Sequence, residues 1–315
     1  MADHNLHVVV GSGAVGRAVI GELVDRGFSV RSVARHAPRD LPVGVAVVEA
    51  DITKPADSRR ALTGAAVVYH TASAPYDRWP ELLPPLMRGV IAGANLAGAQ
   101  IIYADNLYAY GRVDGVLTED LPSRSEGPNG RVRAELADEL MRADASGSVR
   151  AAIGRASDYY GPWGRQSVAG ERLFGPALAG KKVQLLADPD LPHTFTYLAD
   201  FARGLVTLGT HEAALGQIWH VPSAETITSR EFVQLVFDAA DRPMNLGVLP
   251  SPLLTMLALF SPTLRAVKEQ QYQRQDPWLV DHSKFAGEFG VEVTSHREAI
   301  SHTLAWWRTQ GLAKP

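Results

Sequence analysis

The chain contains no cysteine, which removes disulfides, zinc thiolate sites and thiol nucleophiles from consideration. It also lacks a strong charge of either sign: 31 Lys and Arg stand against 34 Asp and Glu, a formal net charge of −3. A nucleic-acid or anionic-membrane partner held by electrostatics would require a basic excess, so neither is expected. Long apolar runs are missing too. A membrane-spanning helix takes roughly 18 or more apolar residues, and the nearest candidate, LPSPLLTMLALFSP at 249–262, is shorter and bracketed by prolines. It reads as a greasy helix in a core or a pocket wall. MADHNLHVVVGSG runs almost directly into a strand and a glycine loop, so no signal peptide is expected. There is no fixed-period repeat and no low-complexity tract. These absences fit a cytoplasmic protein.

What remains is ordinary globular material: 315 residues, 46% hydrophobic and 21% charged. That is enough chain for one large domain or two smaller ones. Leu6–Val10 is a short β-branched run, and Arg17–Arg26 has helical periodicity (Val19, Ile20, Leu23, Val24) stopped by Gly27. Further strands are predicted at Phe28–Val33, Val45–Glu49, Ala66–His70 and Ala99–Ala104, with helices at Ala56–Leu62 and Leu82–Ala97. Strands alternating with helices imply parallel strands joined by right-handed crossovers. The expectation is an α/β fold with a doubly wound, Rossmann-type parallel sheet and helices on both faces.

Between the first strand and first helix stands Gly11-Ser12-Gly13-Ala14-Val15-Gly16. A lone GxGxxG is weak in a chain with 28 glycines, but this one follows a strand and opens a helix within a βαβ unit of about 30 residues. Gly11 permits the turn, Gly13 lets the backbone approach a pyrophosphate, and Gly16 lets helix and strand pack closely. Ala14 and Val15 begin a helix whose free N–H groups face the phosphates. NAD sites usually carry an acid at the end of the second strand to grip the ribose 2′-hydroxyl. Here that end reads Arg31-Ser-Val-Ala34-Arg35-His36, with Arg39 following and no acid. An arginine there, Arg35 first, suits a 2′-phosphate. NADP(H) is therefore favoured, with NAD(H) as the alternative. No metal-ligand set is predicted.

Further stretches follow in order: Glu49-Ala-Asp51-Ile52-Thr53, Val68-Tyr-His70-Thr-Ala72-Ser73, Tyr108-Ala-Tyr110-Gly111, Gly154-Arg155-Ala-Ser157-Asp158-Tyr-Tyr160-Gly161-Pro162, His193-Thr-Phe195-Thr-Tyr197-Leu-Ala-Asp200, and Asp281-His-Ser283-Lys284-Phe285 leading to Phe289-Gly290. The ordered set, from about residue 6 to 308, resembles the extended short-chain dehydrogenase/reductases, the NAD-dependent epimerase/dehydratase superfamily. The resemblance implies a Rossmann domain over 1–160, rejoined by segments around 194–220, and a smaller substrate domain over most of 161–315. It implies that Asp51 and Ile52 flank the adenine, that Ala72 and Ser73 pass under the cofactor, and that Ser157 lies near the nicotinamide carboxamide. It also implies a homodimer through helices near 82–97 and 131–145.

In that family a Ser or Thr after the fifth strand binds the substrate carbonyl, and a Tyr-x-x-x-Lys supplies the acid or base. Counting back from Tyr110-Gly111 places Asn106 at the serine position. Aligning on Glu135 places Gly127 at the tyrosine and Arg131 at the lysine. Glycine has no proton to give, and Arg131 can hold a ribose but not act as an acid. Asn106 can donate an amide N–H to a carbonyl oxygen, and Tyr108 is a candidate proton donor. Tyr159, Tyr160 and His193 are weaker candidates. The expected function is an NADPH-dependent ketoreductase for a bulky, aromatic or polyketide-like small molecule, with an apolar pocket drawn from Trp163, Trp219, Trp278 and residues 252–260. Trp306-Trp307 reads instead as core packing. Such eroded catalytic sets look similar to tailoring ketoreductases of aromatic polyketide antibiotics, such as the simocyclinone pathway. Two alternatives stay open: a catalytically silent NADP-binding sensor, and a nucleotide-sugar epimerase or dehydratase that uses Arg165, Arg172, Lys181 and Lys182 for a diphosphate.

Overall fold

The computed structural model describes residues 5–186, 188–249 and 268–310. The predicted greasy helix at 249–262 lies, beyond Leu249, outside the described residues. Seven strands form the central sheet: β1 (Leu6–Val10), β2 (Ser29–Ala34), β3 (Ala46–Glu49), β4 (Val67–His70), β5 (Gln100–Asn106), β6 (Ala151–Ala156) and β7 (Gln217–His220). Their order is β7-β6-β5-β4-β1-β2-β3, and every neighbouring pair is parallel. The described helices are α1 (Ala14–Asp25), α2 (Pro55–Leu62), α3 (Trp79–Ala97), α4 (Pro128–Ala145), α5 (Glu171–Leu178), α6 (Leu198–Thr210), α7 (Ser229–Ala239), α8 (Ser283–Phe289) and α9 (His296–Thr309).

The alternation of side chains along a strand divides the core into two layers. Val8 and Val10 join Leu83, Met87 and Val90 of α3 and Leu136 and Leu140 of α4 on one face. Val9 points the other way, into Val19, Ile20 and Leu23 of α1 and Leu205 and Leu208 of α6. Each such fully buried aliphatic contributes about 1.5–3 kcal/mol. A third cluster, with Tyr160, Phe174, Phe195, Phe232, Phe237 and Trp307, is built from α5, α7, α9 and the short strands near them. Trp307 is fully buried there and Trp306 packs against it, as the sequence suggests. A reciprocal capping box between Thr228 and Glu231 starts α7.

Two of the boundaries that differ from the sequence reading bear on the site. β5 continues past Ala104, because Asp105 and Asn106 stay in register with Arg155 and Ala156 of β6. α3 begins at Trp79 and runs through Pro84 and Pro85. Trp79 is buried and its indole N–H donates to the Ala74 carbonyl at 3.0 Å, which fixes the start of the helix. The strand order reverses between β1 and β4, and a crevice beyond their carboxyl ends is where sheets of this type bind ligands.

Candidate active site

The glycine loop sits at that reversal. Gly11 has φ +105°, and a Cβ on it would lie 2.6 Å from the Ala72 backbone. A Cβ on Gly16 would lie 1.9 Å from the Gly11 carbonyl oxygen. Thr71 completes the seam, its hydroxyl 3.1 and 3.0 Å from the Val10 and Gly11 carbonyls. Ala72 beside it is half-buried and Ser73 exposed. Gly13 is different. Its φ is −72° and a Cβ there would meet nothing within 4 Å, so neither backbone strain nor protein packing requires glycine. Open space in front of Gly13 is what close approach of a diphosphate needs. The first turn of α1, from Ala14 and Val15, has no side-chain cap and no acidic residue, which leaves its N–H groups for an anion.

These facts give a discriminating expectation. Gly13→Val should leave stability within about 0.5 kcal/mol of wild type yet weaken NADPH binding at least about tenfold. Thermal melts and fluorescence titration with NADPH check both halves.

At the β2 end, Arg35 is exposed and near Asp51. The Asp51 carboxylate accepts from the Thr53 hydroxyl at 2.7 Å, and that bond, with Lys54 and Arg35 close by, holds it below the usual carboxylate range. Ile52 is buried under α3, where a Cβ on Gly89 would approach its carbonyl oxygen to 2.0 Å. Arg31, grouped with the phosphate-binding arginines by sequence, instead donates to the Ala61 and Thr63 carbonyls at 2.9 and 2.8 Å and closes the end of α2. Arg17, not singled out by sequence, donates to the Arg39 and Asp40 carbonyls and stacks 3.9 Å from the Trp163 ring.

The carboxyl end of β5 is held by a buried charge cluster. Asp105 accepts from Arg133 Nη1 at 3.3 Å and from Arg155 Nε at 3.0 Å, and its side chain is completely buried. Arg133 also donates to the Tyr103 hydroxyl at 2.7 Å and lies over the Trp79 ring. Arg155 lies over Tyr110. The Tyr110 hydroxyl is 2.8 Å from His220 Nε2, while His220 Nδ1 is 2.8 Å from the Asp281 carbonyl. A carbonyl can only accept, so Nδ1 carries the proton and Tyr110 donates to Nε2. Burial lowers the His220 pKa to about 4 and keeps it neutral. The polar strand end is therefore a locked platform.

Asn106 stands on that platform. Its Oδ1 accepts from the Tyr108 N–H at 3.0 Å, so its amide NH2 is the group left to donate. Tyr108 stacks on Trp79, and its phenol is hydrogen-bonded to that of Tyr76. Burial, then the neighbouring Tyr76 and Asp158, pushes the Tyr108 pKa far above its usual value. Asp158 lies 2.9 Å from Arg274 and 3.3 Å from His193 Nε2. Burial opposes its ionisation, but Arg274 and His193 together outweigh burial and hold its pKa at about 2. Tyr160 bonds His296 at 2.9 Å within the third core cluster, and Tyr159 is half-buried beside Asp158. Among the described residues the buried Ser157 hydroxyl has no hydrogen-bond partner.

α4 starts next to this platform. Gly127 is its N-cap, and Asn129 donates through Nδ2 to the Tyr76 carbonyl at 3.0 Å. A Cβ on Gly130 would lie 2.6 Å from the Tyr108 carbonyl oxygen, so helix and strand end touch. Arg131 is exposed and its guanidinium donates to the Glu126 carbonyl.

The tryptophans do not form one pocket. Trp219 packs against Phe285 and Phe289 beside α8, with Lys284 Nζ 4.2 Å from its ring. Trp278 joins Leu107, Tyr110 and Leu117 in a separate cluster, and Trp163 lies between Arg17 and Trp306. Residues 252–260 lie outside the described residues. The basic set is dispersed as well: Arg165 stacks on Trp306 and Trp307, while Arg172, Lys181 and Lys182 are exposed. Among the described residues no cluster of metal-ligating side chains occurs, and no helix is long and apolar enough to cross a membrane.

Comparison with known proteins matches this geometry. Residues 11–143 match a family model described as NAD(P)H-binding. A UDP-glucose epimerase of Bacillus subtilis, itself uncharacterised, is 24% identical over 202 residues, 61% of this chain and 64% of the relative. The match thus spans a little under two thirds of that relative. A UDP-glucose 4-epimerase of Thermotoga maritima, solved with UDP-glucose, superposes with a TM-score of 0.79 at 17% identity, covering 97% of this chain and 99% of that one. A UDP-glucuronic acid 4-epimerase of Bacillus cereus, solved with NAD, superposes with a TM-score of 0.78 at 18% identity, covering 98% and 100%. From the glycine loop to the last helix, the chain shares the fold of these solved epimerases, and its residues 11–143 form an NAD(P)H-binding domain.

Proposed function

We propose that this protein is an NADPH-dependent ketoreductase acting on a bulky ketone. The observation that carries the reading is Asn106. With Oδ1 turned to the Tyr108 N–H, its NH2 is the part of the side chain left to donate to a ligand. Such a group stabilises negative charge growing on a carbonyl oxygen, but it cannot remove a proton from an alcohol. That asymmetry favours carbonyl reduction over alcohol oxidation. The cofactor would be held by the Gly11–Gly16 loop and the start of α1, with Arg35, Asp51, Ile52, Ala72, Ser73, Arg131 and Ser157 along its length. When bound, NADPH supplies the hydride. The residues of the chain bind and orient the ketone, Asn106 at its oxygen.

A nucleotide-sugar epimerase is the second reading, favoured by the UDP-sugars named for the relatives. That reaction begins with removal of a hydroxyl proton, for which Asn106 and Gly127 offer no base. A third reading, a silent NADP sensor, predicts tight binding without turnover. A panel of aromatic ketones and quinones with NADPH, followed by loss of nicotinamide absorbance, separates the three. Turnover of a ketone supports the reductase, interconversion of a UDP-sugar supports the epimerase, and binding alone supports the sensor.

Cofactor preference has its own test. Arg35→Asp should weaken NADPH binding about tenfold or more and shift preference toward NADH, since a carboxylate repels a 2′-phosphate and accepts from a 2′-hydroxyl. Unchanged selectivity in paired titrations would remove Arg35 from the phosphate site.

A further inference from the structure

We infer that Glu269 is the proton donor of the reaction, standing in the space from which a side chain at position 127 is missing. The inference rests on the reductase reading above. A Cβ built on Gly127 would lie 2.0 Å from Glu269 Oε1 and 2.2 Å from both Cδ and Cγ of the same residue. The glutamate therefore fills the root of the place where the family resemblance puts a catalytic tyrosine. Glycine at 127 and glutamate at 269 are two halves of one arrangement.

The way the carboxyl is held suits it to the task. Oε1 accepts from the Asn129 N–H at 2.9 Å, the Gly130 N–H at 3.3 Å and Gln270 Nε2 at 3.1 Å. Capping the helix is satisfied by that one oxygen. No hydrogen bond or ion pair engages Oε2 among the described residues, so it is the oxygen able to carry a proton. The same Asn129 reaches Tyr76, which bonds Tyr108 beside Asn106. A relay of hydrogen bonds thus links Glu269 through Asn129, Tyr76 and Tyr108 to Asn106.

Other protonatable groups there are less suitable. Tyr76, pushed by burial to about 12, and Tyr108, raised further, hold their protons tightly. Asp158 is ionised and paired with Arg274. Glu269 is half-buried, and burial raises its pKa above the usual carboxylate range despite its two backbone N–H bonds and the Arg131 charge. Among the described residues the titratable and charged groups facing it are Arg131 from α4 and Tyr272 from the following turn.

The step balances. As hydride from the dihydronicotinamide adds to the carbonyl carbon, the C=O π pair moves to oxygen. The Oε2–H bond breaks, a new O–H bond completes the alcohol, and Glu269 remains as carboxylate until water reprotonates it.

The test combines titration with kinetics. In wild-type protein carrying ¹³C at glutamate Cδ, one signal should titrate above the usual glutamate range and vanish in Glu269→Gln. An ordinary or lowered midpoint for that signal overturns the proposal without reference to activity. In Glu269→Gln, ketone turnover should fall about 10²–10⁴-fold with the NADPH dissociation constant and melting temperature near wild type. Glu269→Ala combined with Gly127→Tyr should recover part of that loss. Turnover by wild type and Glu269→Gln at equal rates overturns the role of Glu269 alone. No ketone turnover by wild type, with NADPH bound, overturns the reductase reading and the proposal with it.

Discussion

Asp105→Asn is expected to destabilise the fold by about 3–5 kcal/mol, the usual cost of leaving a buried charge without its partner. The substitution keeps the shape and removes only the negative charge. Two guanidiniums, Arg133 and Arg155, then remain buried at 3.3 and 3.0 Å from an amide. The amide can accept from one arginine, but its NH2 then confronts the other donor to donor. Because Asp105 pairs with Arg155 across β5 and β6 while Arg133 belongs to α4, the damage reaches both elements that frame the site. Urea unfolding followed by circular dichroism reads the effect. A shift below about 0.5 kcal/mol, typical of a surface change, would show that water reaches the cluster. Replacing all three residues by apolar side chains of similar volume should restore much of the loss.

Asn106→Asp is expected to lower ketone turnover about 10²–10³-fold, the typical cost of removing one oxyanion donor. An aspartate still offers Oδ1 to the Tyr108 N–H, so the turn that orients the side chain survives. What changes is the face toward the ligand, where an N–H donor becomes a carboxylate oxygen. Charge developing on the substrate oxygen would then be repelled. NADPH affinity should change little. The kinetic loss should appear in kcat as well as in kcat/KM, the pattern of an interaction made in the transition state. A loss confined to KM would make Asn106 a binding residue only.

Much of this architecture was legible in the sequence. The first five strands and their helices follow from period-two and 3.6-residue patterns, because each element buries one face in a continuous core. Gly11 and Gly16 were legible for the same kind of reason. Gly16 answers to the Gly11 carbonyl within one βαβ unit and Gly11 to the turn it makes there, although the Ala72 backbone that also crowds Gly11 comes from beyond β4. The Asp105 cluster was not, although a signal existed: Arg133 lies on the stripe Asn129, Val132, Arg133, Leu136, Ala137, Leu140 that α4 buries. An arginine on a buried stripe requires a buried partner, and Asp105 was the acid one strand away. Glu269 had no local signal. It comes from a segment about 140 residues beyond Gly127, and only folding brings the two together. The three tryptophans show the converse error, since aromatic residues far apart in sequence went to separate clusters rather than to one pocket.

The most direct measurement is isotope transfer. With (4-²H)NADPH of each stereochemistry and an accepted ketone, one of the two labels should appear at the carbinol carbon of the product, one deuterium per NADPH consumed. An alcohol without deuterium from either label, or a UDP-sugar interconverted with no net consumption of NADPH, would contradict carbonyl reduction as the function of this site.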